Sequence, residues 1–336
     1  VKIGFAYDSP PEENNRNNSG SVASEYEDLR TIEWIEEHLS RHGTVIRLPW
    51  SHRFAADLAD LMPDVVFNIT EAGGSRNRES LVPAVCESLG VPCTGSDAVA
   101  LGLSLDKYLT KIIAEKHGAA TPNYCLFVPG ADRGSFEQDL EGLSFPLILK
   151  PNTGGSSMGI SEASKVRTMT ELFAVVEQMA AEFNDSILVE EFVPGYDITS
   201  GIIENGGPVH LPCAEIRLNG RNPDVFYSIE RKAKHEREIV FPLDLNAALR
   251  ERVQSVTVRI FRVLGCRGIA RVDFRLGTDG VPYFLEINPL PGLSPFYSIL
   301  PEQALQAGIE KPELLRLLLE NALDRGRAKR RRQLST

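Results

Sequence analysis

Short apolar runs alternate with helically spaced apolar positions along the first third of the chain. Residues 1–7, 45–48 and 65–68 read as buried strands. Between the first two, residues 25–42 carry Leu29, Ile32, Ile35 and Leu39 at helical spacing. A short helix follows the second strand, and another spans about residues 79–89. Strand and helix in alternation predict an α/β lobe with a largely parallel sheet, interrupted by a polar loop over 8–24. Farther on, 145–151 reads as a buried strand, 220–240 as a long charged loop and 246–265 as an amphipathic helix. The period then changes to two in 271–276 and 283–289, with Thr278-Asp279-Gly280 between them as a strong hairpin signal. Helices from about Pro301 and Pro312 close the fold.

A chain of 336 residues is long enough for two or three lobes, and 42% hydrophobic with 24% charged residues is ordinary for a globular protein. No apolar run approaches the roughly 18 residues of a membrane helix and no basic-then-apolar leader is seen, so the expected location is the cytoplasm, with no membrane partner. The net charge of −10 argues against nucleic acid as a partner. The locally basic run from Arg325 to Arg332 reads as a solvated, disordered end. Cys86, Cys93, Cys125, Cys213 and Cys266 are scattered without CxxC spacing and read as reduced core thiols. No internal repeat is present.

Candidate chemistry gathers in the hairpin. There Asp273, Glu286 and Asn288 would converge on one side of the sheet, an oxygen donor set that suits Mg²⁺ shared with phosphate oxygens. Arg271 shares the face of Asp273 and would meet developing negative charge. The same alternation also describes a plain amphipathic hairpin with solvated charges. A second candidate is the strand that ends in Lys150, followed by Asn-Thr-Gly-Gly-Ser-Ser-Met-Gly over 152–159. A glycine-rich loop at Gly155, Ser156 and Ser157 lets backbone N–H groups approach phosphate oxygens, although many turns share that composition. Ligands of parallel α/β sheets gather at the carboxyl ends of strands, which points to the loops after Tyr7 and Asn68. Arg76 and Arg78, beyond the second of these, read either as a carboxylate clamp or as surface, with surface the simpler reading.

Arg-Val-Asp-Phe at 271–274 and Leu-Glu-Ile-Asn-Pro-Leu-Pro-Gly-Leu-Ser at 285–294 resemble the metal-binding end of the ATP-grasp enzymes, and specifically the D-alanine:D-alanine ligase family. Pro-Cys-Thr-Gly-Ser at 92–96, Asp106-Lys107 and the run 187–197 repeat the resemblance in the family's order, over about residues 64–310. It implies an α/β, three-lobed fold with nucleotide between the last two lobes: a substrate lobe at 1–103, a central lobe at 104–190, a metal-bearing lobe at 191–325 and a basic tail at 326–336. It implies ATP as cosubstrate and Mg²⁺, as two ions, with Mn²⁺ able to substitute. Lys107 and Lys150 would touch the phosphates, backbone groups from Glu190 and Glu191 to Val193 the adenine, and Asp197 the ribose.

A lid lysine would reach the γ-phosphate, and two registers fit, Lys232 followed by Ala233 or Lys234 followed by His235. The second register would set His235 beside the second substrate, and an exposed loop histidine is the simpler reading. Glu25 or Glu27 would hold the first substrate's amino group, with Ser156 reaching the same acid; both glutamates also read as ordinary first-turn acids of a helix. Arg271 and the Gly292 amide would form an oxyanion site, and Ser298, in a loop one residue longer than the family's, would meet the second substrate's carboxylate. The family's His-Gly is replaced here by Asn68-Ile69-Thr70-Glu71-Ala72-Gly73-Gly74.

The implied activity is ATP-dependent ligation of a carboxylate to an amine through an acyl phosphate, joining two amino acids or an amino acid and a short peptide. A D-alanine:D-alanine ligase of the cell wall, a nucleotide-responsive binding protein without ligation, and a kinase with a stable product are the alternatives. A homodimer formed through the first lobe is usual in the family.

Overall fold

The computed structural model describes residues 1–9, 27–155, 158–218, 221–234, 237–241 and 245–333. The first strands form as the apolar runs predict. β1 (Lys2–Tyr7) lies between β2 (Thr44–Pro49) and β3 (Val65–Asn68), all parallel. α1 (Leu29–Leu39), α2 (Phe54–Leu61) and α3 (Leu81–Ser88) are the connecting helices. α1 begins later than its apolar spacing predicts, because the Asp28 side chain accepts from the Thr31 N–H at 2.7 Å and caps the helix there. Glu27 therefore precedes the cap and is no first-turn acid. Glu25 lies outside the described residues.

α4 (Ala98–Leu105) and α5 (Lys107–Lys116) lead into an antiparallel sheet. It contains β4 (Tyr124–Phe127), β5 (Leu147–Pro151), β6 (Lys165–Val166) and β7 (Ile187–Glu191) in the order β4-β7-β5-β6, with α6 (Arg133–Asp139) and α7 (Met169–Phe183) packed on it. The third sheet holds β8 (Gly195–Glu204), β9 (Pro208–His210), β10 (Ala214–Arg217), β11 (Glu238–Val240), β12 (Ile269–Gly277) and β13 (Pro282–Asn288). Its order is β11-β10-β8-β12-β13, with β9 on β8. α8 (Ile229–Ala233) lies in the charged loop, α9 (Ala247–Val263) backs the sheet, and α10 (Ile299–Gln306) and α11 (Lys311–Gln333) follow.

The last helix corrects the expectation of a disordered basic end. α11 continues through Gln333, and the half-buried Arg325 donates to the carbonyls of Cys93 at 3.0 Å and Gly95 at 3.1 Å. Leu314, Leu315, Leu318 and Ala322 pack into the same core as Ile3, Phe5 and Ile32. The chain thus returns to its first sheet, and truncating one of these leucines to Ala would cost about 2–5 kcal/mol. No described helix is long and apolar enough to cross a membrane.

Candidate active site

A cleft opens between the second and third sheets. Its walls are apolar, with Ile148, Ile160, Leu188, Phe192 and Leu285, and Lys107, Lys150, Asp273 and Glu286 also line it. Such a slot accepts a flat apolar group with a charged extension.

The lysines arrive from different elements. Asp106 caps α5, accepting from the Leu109 N–H at 3.0 Å, and binds Asn152 Nδ2 at 2.9 Å. Asn152 in turn accepts from the backbone N–H of Lys107 and Tyr108. This lock sets Lys107 at a helix N-terminus beside the glycine-rich loop, and its Nζ meets the Gly154 carbonyl and lies 3.5 Å from Glu286. Lys150 ends β5 with its Nζ on Glu190. The loop is anchored at Thr153, whose N–H and hydroxyl donate to Asp185 at 2.7 and 2.8 Å. At its far end, Gly159 has φ +73°, and a Cβ there would lie 2.6 Å from Pro151 Cγ, so the turn requires glycine. Gly155 sits in the described part of the loop, whereas Ser156 and Ser157 lie outside the described residues.

In the hairpin, Asp273 stands directly opposite Glu286 and Arg271 opposite Asn288. Like charges in that position repel unless cations intervene. Arg271 pairs with Asp273 at 2.8 Å, and Lys107 approaches Glu286. Burial would raise the Glu286 carboxyl, but Lys107, Arg271 and Lys150 outweigh it and hold it below its ordinary range. Burial would likewise lower Arg271, and Asp273 with Glu286 and Glu71 raises it instead. Among the described residues no three His, Cys, Asp or Glu side chains form a metal cluster. Two opposed carboxylates with the Asn288 amide oxygen fit Mg²⁺ that shares its remaining positions with phosphate and water.

The run 187–197 also lines the cleft, but its charged side chains have other partners. Glu190 is buried between Lys150 and Lys111, the latter at 2.8 Å. Burial would raise its carboxyl, yet the two lysines hold it down at about 2. Glu191 accepts from the Ser144 N–H at 2.7 Å and Asn123 Nδ2 at 3.0 Å, so both of its carboxylate oxygens already have partners. The Val193 carbonyl accepts from Arg275 Nε at 3.0 Å, and Asp197 pairs with the same guanidinium at 2.8 Å.

Glu27 meets the last loop. Its Oε2 accepts from the Tyr297 hydroxyl, and its Oε1 lies 3.5 Å from the position of a Cβ on Gly292. Ser298 Oγ lies 2.7 Å from the same position. Gly292, Ser298 and Glu27 are therefore neighbours, although they come from opposite ends of the chain.

Of the expected lid residues, only the Lys234 side chain is described. Lys234 is exposed and absent from the lining of the cleft, while the Lys232 side chain and His235 lie outside the described residues. Nearby parts of the same segment do close over the cleft: Phe226 packs on Phe192 at 5.9 Å between ring centroids, and the Ile229 N–H donates to the Ile160 carbonyl at 2.9 Å.

Three residues without a firm reading in the sequence belong to this site. Lys111 lies one helical turn beyond Lys107, on the same face, and that spacing was its signal. Arg275 continues the alternation of Arg271 and Asp273 and clamps Val193 and Asp197, together with the carbonyls of Pro223 at 2.8 Å and Val225 at 2.9 Å. Arg78 is buried rather than on the surface, and its Nη1 donates to the Thr153 carbonyl at 2.8 Å. Arg76, by contrast, is exposed, with Asp106 at 3.2 Å.

Comparison with known proteins points to one family. A family model described as D-ala D-ala ligase C-terminus matches residues 113–320. The chain is 32% identical over 267 residues to the D-alanine–D-alanine ligase of Bacillus anthracis, covering 80% of this chain and 83% of that one. It is 34% identical over 264 residues to the D-alanine–D-alanine ligase of Bordetella petrii, covering 78% and 77%. The crystal structure of the Bacillus anthracis ligase complexed with ATP aligns with a TM-score of 0.76 at 26% identity, over 98% of this chain and 99% of that one.

Proposed function

Because this chain belongs to the D-alanine:D-alanine ligase family of ATP-grasp enzymes, we propose that it activates the carboxylate of one amino acid and joins it to the amine of a second amino acid or short peptide. It is an ATP-dependent, ADP-forming ligase. The observation that carries the reading is the Asp273–Glu286 pair, set with Lys107 and Arg271 in a cleft whose walls are apolar.

In this reading the adenine occupies the apolar walls near the Val193 backbone and the ribose meets Asp197. Lys107 and Lys150 bind phosphate oxygens as compact point charges. Asp273, Glu286 and Asn288 would hold Mg²⁺, as two ions, or Mn²⁺ in their place, and the metal would offset charge on the phosphates. An oxygen of the first substrate's carboxylate attacks the γ-phosphorus and the bond to ADP breaks, giving an acyl phosphate. The free amine attacks its carbonyl carbon, Arg271 and the Gly292 N–H meet the oxyanion, phosphate leaves with the bonding pair, and the nitrogen gives up a proton. Lys232 or Lys234 and Ser156 complete the set on lid and loop, and His235 and Ser298 border the second substrate. Acyl phosphates hydrolyse, so Phe226 and Ile229 over the cleft serve to exclude water.

The first substrate is an amino acid other than D-alanine in our reading, since Asn68–Gly74 replaces the His-Gly pattern and Arg78 reaches the phosphate loop. The names of the relatives favour the second reading, a D-alanine pair. Three lobes over 1–103, 104–190 and 191–325, a cytoplasmic location and a homodimer are part of the proposal. Release of ADP with Mg²⁺ over D- and L-amino acids, singly and in pairs, with mass spectrometry of each active mixture, tests the substrate assignment. A dipeptide from D-alanine alone would overturn it.

A further inference from the structure

The loop of residues 294–298 is tied to the start of α1. Thr31 Oγ1 and Ser294 Oγ share a hydrogen bond of 2.8 Å, and the Arg30 guanidinium lies 4.2 Å from the Phe296 ring centroid. On the other side, Arg237 from the lid segment donates to the Tyr297 carbonyl at 3.5 Å. Tyr297 thus stands where first lobe, lid and last loop meet. Its hydroxyl holds only one oxygen of Glu27, leaving Oε1 on the Gly292 side.

Resting on the ligase reading, we propose that Tyr297 is a positioning residue for the amino-acid site: it fixes the Glu27 carboxylate so that Oε1 faces Gly292 and accepts the α-ammonium of the amino acid being activated. Two features support this. Burial pushes the Glu27 carboxyl up, as does neighbouring Asp28, while the Tyr297 hydrogen bond favours the ionised form that an ammonium requires. In addition, an oxygen already bound to a donor keeps the carboxylate from rotating, which preserves direction in the contact made by its partner oxygen. The tyrosine thereby makes recognition of the amine depend on the last loop as well as on the first lobe.

The test compares wild type with Tyr297→Phe, using the preferred acid-donating amino acid and its desamino analogue as probes. A hydrogen bond to a charged group predicts that Y297F raises KM for the amino acid about tenfold and narrows its advantage over the analogue by about the same factor. The kcat and the KM of the amine-accepting substrate should stay within about twofold, because the lost bond orients Glu27 and touches no reacting atom. Arg30→Ala loosens the same loop through Phe296 without removing the hydroxyl, and should keep the preference for the amino acid. Unchanged discrimination in Y297F, or an equal loss in R30A, would overturn the role of the hydroxyl while leaving the ligase reading intact. Failure of the wild-type protein to form a peptide bond from any amino acid would overturn the ligase reading and the inference with it.

Discussion

Adding one methyl group at Gly292 tests the oxyanion site by geometry. A Cβ there would stand 2.7 Å from Ser298 Oγ, about 0.7 Å inside the 3.4 Å at which ordinary contact begins. Ser298 cannot turn aside without cost, because its Oγ accepts from the Ser294 N–H at 3.2 Å. The loop must move instead, at an overpacking cost of about 1–3 kcal/mol. That movement carries the Gly292 N–H away from the oxyanion, so Gly292→Ala should lose on the order of 10²-fold to 10³-fold in turnover. Removing the obstructing atom should restore room. In a Ser298→Ala background the same glycine substitution should cost at least about fivefold less, a coupling of about 1 kcal/mol. Turnover is read as ADP release at saturating substrates for all four proteins, with thermal melts to follow loop packing. Wild-type turnover in G292A would refute the oxyanion role, and equal penalties in both backgrounds would refute the steric argument.

Further predictions address the remaining parts of the site. Glu286→Gln leaves Asp273 without its opposed carboxylate, and should lower turnover at least about 10²-fold while the far-ultraviolet circular dichroism stays unchanged. Arg271→Ala should slow ligation about 10²-fold with a much smaller change in nucleotide affinity measured by calorimetry. Acid unfolding should show the buried Glu190: its carboxyl, lowered to about 2 when folded, contributes stability that is present above its unfolded value near pH 4 and is lost as pH falls toward 2. The full contribution is on the order of 3 kcal/mol. Burial pulls Lys111 down in the same network, so the net gain is smaller, and Lys111→Met should flatten this part of the stability profile.

The site was legible where spacing along one strand or helix decides proximity. Period two sets Asp273 on the face of Arg271, and the Asp279-Gly280 turn brings Glu286 opposite it. The same periodicity reaches Arg275, but charge pattern alone does not reveal that its guanidinium ends on four backbone and side-chain oxygens. Glu27 precedes the Asp28 cap, a local signal, and the contact that gives it its place is with Tyr297 near the other end of the chain. Arg78 illustrates the limit most clearly. A charged residue in a loop reads as surface until the fold lays the glycine-rich loop across it, and no periodicity encodes that encounter. The terminal helix is partly a similar case: its start near Pro312 was legible, but the basic run from Arg325 concealed that the helix continues through Gln333.

Transfer of carboxylate oxygen tests the central claim most directly. The first substrate is supplied with both carboxylate oxygens isotopically labelled, together with ATP, Mg²⁺ and the amine, and the phosphate released is analysed by mass spectrometry. Activation through an acyl phosphate predicts one labelled oxygen in each phosphate released and one retained in each new amide. Unlabelled phosphate, or a stable phosphorylated product in place of the amide, would contradict the ligase account.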